Sequence, residues 1–258
     1  MTKLSLVIPA LNEEKFLPHL LTSLTKQTKQ DFEVVVVDGS SKDRTVEVTQ
    51  SFCSKLSALK VIVSEKPGLP LQRNLGARAT DGEWLIFIDA DSRLLPYFIE
   101  RMQWFIEEQK PALFTSWFRP DSETSGDALF TLVANSFVEG SIHFHRPIAP
   151  GPLIAVRRDV FESINGFNES LTFGEDYDLT QRITEQGIAL QMLRETIYEY
   201  SLRRVRREGK LRFMSLYAVA ALRVLLTKRN LERVPSYVMG GHLYEAKSNF
   251  NEQSAVHE

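Results

Sequence analysis

The chain has 258 residues, 43% of them hydrophobic and 25% charged, a balance that excludes collagen-like, disordered and disulfide-scaffold classes and suits one large α/β domain with appendages. Its 31 Lys and Arg against 33 Asp and Glu leave a net charge of −2, so no global basic field exists to hold nucleic acid. The single cysteine, Cys53, cannot form an intrachain disulfide or a thiolate metal cage, which fits a reducing compartment. Residues 4–9 then read as a buried strand, and 13–28 has helical spacing in Phe16, Leu20, Leu21 and Leu24. Residues 32–38 are nearly all apolar, like strands that parallel sheets bury on both faces. Ser40 and Asp43 have capping-box spacing ahead of a helix over 43–56. A strand over 59–64, a helix over 69–79, a strand over 83–89 and a helix over 97–109 follow. This alternation predicts an α/β fold with a doubly wound, mostly parallel sheet flanked by helices.

The second half is less regular. A strand is expected over 112–118, a helix over 128–139, and a shaped loop over 142–152, which carries three prolines and two histidines. A strand over 153–156, a helix over 158–164 and a helix over 176–186, closed by Gly187, come next. A basic run spans 203–212, an apolar helix 211–226 and a polar tail 245–258, expected to be disordered. The N-terminus enters its strand without the pattern of a signal peptide, and the longest apolar stretch, 213–226, falls short of the roughly 20 residues of a spanning helix. The expected location is therefore cytoplasmic, including the inner face of the membrane.

Acidic residues collect at the carboxyl ends of the expected strands, the edge where open α/β sheets bind ligands: Asn12-Glu13-Glu14 after the first, Asp38 after the second, Asp89-Ala90-Asp91 after the fourth. For Asn12 and Asp43 taken alone, a helix cap is the simpler reading. Asp89-Ala90-Asp91 is different, because the apolar run Trp84-Leu85-Ile86-Phe87-Ile88 drives straight into two carboxylates whose unpaired burial is costly. Such a D-x-D turn can set one carboxylate on a divalent cation and the other on a metal-bound water or a ribose hydroxyl, and hard oxygen donors suit Mg²⁺ or Mn²⁺.

Four motifs in order, Val7-Ile8-Pro9-Ala10-Leu11-Asn12-Glu13-Glu14, Val37-Asp38-Gly39-Ser40-Ser41-Lys42-Asp43-Arg44-Thr45, Arg73-Asn74-Leu75-Gly76-Ala77 with Asp81-Gly82-Glu83, and Asp89-Ala90-Asp91, resemble glycosyltransferase family 2, of the GT-A fold. Val156-Arg157-Arg158-Asp159-Val160-Phe161, Gly166-Phe167-Asn168-Glu169 and Gly174-Glu175-Asp176-Tyr177-Asp178-Leu179 extend the resemblance over roughly residues 4–190. It implies that the backbone at Pro9 and the side chain of Glu13 border a nucleotide, that Asp38 binds the base, usually uracil, and that Arg73 helps hold the nucleotide. It also implies that Asp89 faces the ribose, Asp91 binds the metal and Asp176 is the catalytic base. Ser40 stands where the family usually has glycine, which blurs the base preference, and the Q-x-x-R-W motif of processive synthases is missing after Asp176, which argues against a polymer synthase. The implied organisation is a GT-A domain over 1–200 (nucleotide-binding half 1–91, acceptor half 92–200), a basic and apolar helical extension over 201–244 and the tail 245–258.

The chemistry asks for these groups independently of the family. A nucleoside-diphosphate leaving group gains charge as the glycosidic bond breaks, and a divalent cation stabilises it. The sugar carbon becomes oxocarbenium-like, and one base on the acceptor hydroxyl suffices for inversion. Asp176, expected at a helix start, suits that role; the plainer reading is that Glu175 and Asp176 only complement the helix dipole. Arg203-Arg204-Val205-Arg206-Arg207 reads either as a solvated or lipid-binding face or as a lid in which Arg203 or Arg204 folds over the donor diphosphate. His143 and His145 alternate as on one strand face but lack a third ligand and are not assigned to a metal. The expected partners are a UDP-sugar or related donor and a hydroxyl acceptor, lipid-linked if residues 211–226 lie on an anionic membrane; a homodimer through 211–226 is the alternative. A sugar nucleotidyltransferase and a non-catalytic sugar-nucleotide-binding module are the competing classes. The first normally has a glycine-rich phosphate loop near its N-terminus, and the second needs no joint presence of Asp91 and Asp176.

Overall fold

In the computed structural model, which describes residues 3–143 and 147–209, the apolar runs of the first half form the strands of one sheet. β1 (Leu4–Ala10), β2 (Phe32–Asp38), β3 (Leu59–Val63) and β4 (Trp84–Ile88) are mutually parallel, in the spatial order β3-β2-β1-β4. Every residue of β1, β2 and β4 is buried, because both faces are covered. Side chains alternate between the faces. Leu4, Leu6, Ile8, Val34, Val36, Ile86 and Ile88 pack with α1 (Leu17–Thr25) and α4 (Phe98–Gln109), whereas Val7, Val35, Val37, Leu85 and Phe87 pack with α3 (Leu69–Arg78), α6 (Arg158–Ser163) and α7 (Glu175–Thr184). Each fully buried Leu, Val or Phe contributes about 1.5–3 kcal/mol relative to exposure, so this two-sided core fixes the sheet.

The sheet continues through β7 (Leu153–Arg157), antiparallel to both β4 and β6 (Leu113–Pro120), then β8 (Leu190–Tyr200), parallel to β6, and the two-residue β5 (Arg93–Leu94) at the edge. The architecture is mostly parallel α/β, as expected, with β5 and β8 not foreseen. The strand order reverses between β1 and β4, which opens a crevice at their carboxyl ends. Register places Ile88 of β4 opposite Leu153 of β7, so the Pro150-Gly151-Pro152 run enters the sheet directly beside Asp89.

Other expectations shift locally. The first helix begins at Leu17 rather than at residue 13, since Pro18 suits its first turn and the Glu13 N–H is already given to Thr45 Oγ1 at 2.8 Å. The capping box at Ser40 does not form: Ser40 sits at φ 62° and its hydroxyl donates to Ser64 O at 2.6 Å. Asp43 instead accepts from Thr45 N and Glu14 N, and regular helix is confined to α2 (Thr45–Gln50). Asn12 caps no helix; its Oδ1 accepts from Lys42 N at 2.7 Å, tying the loop after β1 to the loop after β2. α5 (Ser125–His143) runs four residues past the expected end, so His143 is helical and not on a strand face, while His145 lies outside the described residues. The apolar helix over 211–226 and the tail over 245–258 also lie outside them; of the basic run, α8 (Arg203–Glu208) is seen. Among the described residues no helix is long and apolar enough to cross a membrane.

Candidate active site

Two knots of side chains meet at the carboxyl edge. The first is built on Arg73 of α3, whose side chain is wholly buried. Its Nη1 donates to Glu175 Oε1 at 3.0 Å, and its Nη2 donates to Asp89 Oδ1 at 3.2 Å and to the Gly151 carbonyl at 2.9 Å; the guanidinium lies 5.2 Å from the Phe167 ring centre. Burial works against this charge, yet Asp89, Glu175 and Asp176 hold the guanidinium above its ordinary pKa. The N–H of Gly151 donates to Asp176 Oδ2 at 3.0 Å and that of Tyr177 to Asp176 Oδ1 at 2.8 Å, so the second residue of α7 has both carboxylate oxygens fixed by the backbone. A side chain at Gly151 would begin 3.3 Å from Arg73 Nη2 and 3.4 Å from Asp176 Oδ2, so this close approach favours glycine. Next to Arg73, Asn74 binds the N–H and carbonyl of Phe167 at 2.9 Å each and Glu169 Oε1 at 2.9 Å. Gly166, at φ 70°, has no space for a Cβ, which would meet Asn74 Oδ1 at 2.6 Å.

The second knot is built on Arg203 of α8. Nη2 donates to Glu13 Oε1 at 2.7 Å, Nε lies 3.1 Å from Asp91 Oδ2, and the guanidinium stacks 4.0 Å from the Phe16 ring centre. Burial pushes Glu13 up to about 8, with Arg203 opposing and Asp91 and Asp89 adding to the rise. Burial likewise raises Asp89 to about 7 against Arg73, and raises Asp91 against Arg203. Four carboxylates, Glu13, Asp89, Asp91 and Glu175, thus share two guanidinium groups, and further positive charge at this edge favours their ionised forms. Arg204 follows on α8 and is half-buried. Asp38, at the end of β2, accepts from Ser41 N at 2.9 Å through Oδ2, while among the described residues its buried Oδ1 has no partner, nor have the buried Glu13 Oε2, Arg73 Nε and Arg203 Nη1. Beside them, Gln72 of α3 donates from Nε2 to the carbonyls of Ala10 and Val37, sealing the ends of β1 and β2 behind Pro9.

The family model described as "Glycosyl transferase family 2" matches residues 5–164, more than half of the chain. The chain belongs to glycosyltransferase family 2. A second model, "N-terminal domain of galactosyltransferase", matches residues 137–204. An uncharacterized glycosyltransferase of Haemophilus influenzae is 31% identical over 188 residues, 71% of this chain and 62% of that protein. The poly(ribitol-phosphate) beta-N-acetylglucosaminyltransferase TarS of Staphylococcus aureus is 38% identical over 114 residues, 42% of this chain and 19% of TarS. The chain therefore spans less than two thirds of the length of these curated relatives. Among solved structures, S. aureus TarS 1-349 in complex with UDP superposes with a TM-score of 0.66 at 23% identity, covering 86% of this chain and 65% of that one. The mannosyltransferase PcManGT from Pyrobaculum calidifontis, in complex with GDP-Man and Mn²⁺, gives 0.62 at 19% identity, with coverages of 84% and 64%. The fold is of the GT-A type shared by these glycosyltransferases.

For this family 2 chain, the donor chemistry at the edge fits a divalent cation in one specific sense. Among the described residues no group of three or more His, Cys, Asp and Glu gathers to cage a metal. Asp89 and Asp91 are hard oxygen donors of the kind that bind Mg²⁺ through one or two carboxylates, with phosphate oxygens and water completing the shell. The residues therefore suit a cation that arrives with a phosphate ligand. The structure also adds participants that sequence reasoning missed: Gly151, Gln72, Phe16, and Glu175 as the partner of Arg73. Gln72 adjoins the quoted Arg73, and Glu175 is itself a quoted motif residue whose pairing with Arg73 was not foreseen, but Gly151 lay in the loop read only as shaped, and nothing local marks Phe16 as a platform for Arg203.

Proposed function

We propose that this chain transfers a single sugar from a nucleoside-diphosphate sugar, with UDP-sugar favoured, to an acceptor hydroxyl with inversion and with the help of Mg²⁺ or Mn²⁺. The observation that carries this reading is the meeting, at the crevice between β1 and β4, of the Asp89 and Asp91 carboxylates, the Arg73 and Arg203 guanidinium groups and the backbone-fixed Asp176. Relatives support the donor class: TarS has been solved with UDP and with UDP-GlcNAc, PcManGT with GDP-Man and Mn²⁺, and GalNAc-T7 with UDP, GalNAc and Mn²⁺.

In this reading Pro9 and Glu13 border the nucleotide, and the Oδ1 of Asp38, without a partner among the described residues, receives a donor from the base. Asp89 faces the ribose, held in place by Arg73. Asp91 would hold the cation, which when bound neutralises charge on the departing diphosphate. Arg203, with Arg204 behind it, exchanges its contact with Asp91 for the donor phosphates, where its fork binds oxygens in pairs. Asp176 takes the proton of the acceptor hydroxyl as that oxygen attacks the sugar carbon from the face opposite the diphosphate. The two N–H groups on its carboxylate orient it for this step. The acceptor is lipid-linked if residues 211–226, outside the described region, lie against an anionic membrane; a contact between two copies through them is the alternative. On α5 the exposed Leu129, Leu132, Val133 and Phe137 add apolar surface to that reading.

The test is a hydrolysis screen of UDP-, GDP- and dTDP-sugars with Mg²⁺ and with Mn²⁺, since slow donor hydrolysis needs no known acceptor. Metal-stimulated hydrolysis of a UDP-sugar is expected. Hydrolysis indifferent to metal, or confined to another nucleotide, overturns the corresponding part of the proposal.

A further inference from the structure

Helix α8 has only six residues, too few to hold its own shape or orientation, so its placement must come from outside. One carboxylate supplies most of it. Asp121 follows the last residue of β6, where Pro120 pairs with Tyr200 of β8. Its Oδ1 accepts from Leu202 N at 3.0 Å and Arg206 Nη1 at 2.8 Å; its Oδ2 accepts from Arg206 Nη2 at 2.6 Å and Ser201 Oγ at 3.1 Å. Asp127, buried in the first turn of α5, accepts from Arg206 Nη1 at 2.9 Å and Ser122 Oγ at 2.5 Å. Leu202 and Val205 are buried beneath this clamp. Two nearly inaccessible carboxylates thus converge on one guanidinium, which Asp121 holds in a bidentate way and Asp127 through Nη1. Arg203, one turn before Arg206, is the α8 residue whose guanidinium reaches Glu13 and Asp91.

We propose that Asp121 and Asp127 are positioning residues of the sugar-transfer site: through Arg206 they set α8 so that Arg203 delivers its charge to the donor-diphosphate position. This rests on the reading of Arg203 given above. The clamp makes Arg203 a fixed cation at the crevice, and displacement of such a group by about 1 Å can cost on the order of a hundredfold in rate.

A double-mutant cycle on the full chain tests it, with the affinity of UDP in the presence of Mn²⁺ measured by calorimetry. Arg203→Gln should weaken UDP by about tenfold and Asp121→Asn by several-fold. Because both act on one contact, Asp121→Asn added to Arg203→Gln should weaken UDP by less than about twofold further. Losses that multiply in the double variant, or an Asp121→Asn protein that binds UDP like the wild type while Arg203→Gln does not, overturn the positioning role and leave the reading of Arg203 standing. If Arg203→Gln binds UDP normally, the reading of Arg203 fails first and the proposal fails with it. Where Asp121→Asn does not fold, Arg206→Lys, which keeps a charge but loses the fork, goes through the same cycle with the same criteria.

Discussion

Arg73 and Glu175, 102 residues apart in the chain, form an ion pair of 3.0 Å in which the guanidinium is wholly buried and the carboxylate nearly so. Removing one partner of such a pair strands the other charge, which costs more than the pair contributes. Arg73→Met is therefore expected to lose about 3–5 kcal/mol in urea denaturation. Arg73→Met/Glu175→Gln should recover part of that loss, because the stranded carboxylate is neutralised. A double variant no more stable than the single one would show that the pair is not the source of the cost.

Asp91→Asn keeps size and polarity but removes the charge that draws a cation. Its Mn²⁺-dependent affinity for UDP should disappear in calorimetry while the melting temperature stays near that of the wild type. Unchanged affinity moves the metal elsewhere.

Asp176→Asn should bind UDP with Mn²⁺ as the wild type does, yet transfer sugar roughly two to four decades more slowly, the range for losing a general base. Wild-type turnover in this variant reduces Asp176 to a helix-start residue that fixes the Gly151 N–H.

Glu13 sets a pH dependence. Its carboxyl is raised by burial from an ordinary value of 4.5 to about 8, so the folded protein binds this proton more tightly than the unfolded chain does. The stabilisation is fully present below about pH 4.5 and is lost as pH rises through about 8. Asp89, raised to about 7, acts in the same direction. His19, held below its ordinary 6.5 by burial and by Arg93, acts oppositely, so the readout is a difference. The melting temperature of the wild type minus that of Glu13→Gln should fall steadily from about pH 5 to 8. A flat or rising difference removes the buried-proton account.

Vesicle flotation addresses residues 211–226. Binding to anionic lipid should weaken with salt and vanish on deletion of 211–258, each basic residue near the surface adding about 1 kcal/mol. A full-length protein that stays unbound at low salt favours a soluble acceptor and a contact between copies.

The half of the fold that was legible owes this to strands buried on both faces. β1, β2 and β4 read as nearly continuous apolar runs that lead into carboxylates, which drew attention to Glu13, Asp38, Asp89 and Asp91. β8 hid because Arg194, Glu195 and Glu199 break its apolar pattern; in the fold they pair with Glu139, Arg101 and Arg119, partners remote in sequence. The expected helix over 128–139 stops at the residue before Gly140, whereas α5 continues through that glycine to His143, so the loop with His143 was drawn too long. Gly151 was illegible for another reason: its role is to bring backbone to Arg73 and Asp176, and backbone carries no sequence signature.

The convergence on Arg73 also bears on how the protein assembles. This guanidinium is completed by Asp89 from the end of β4, the carbonyl of Gly151 before β7 and Glu175 at the start of α7. A nascent chain that has released only its first hundred residues carries Arg73 with one of those three partners. The carboxyl edge around Arg73 is therefore complete only after α7 has been synthesised, and at that earlier length the guanidinium lacks both Glu175 and the Gly151 carbonyl.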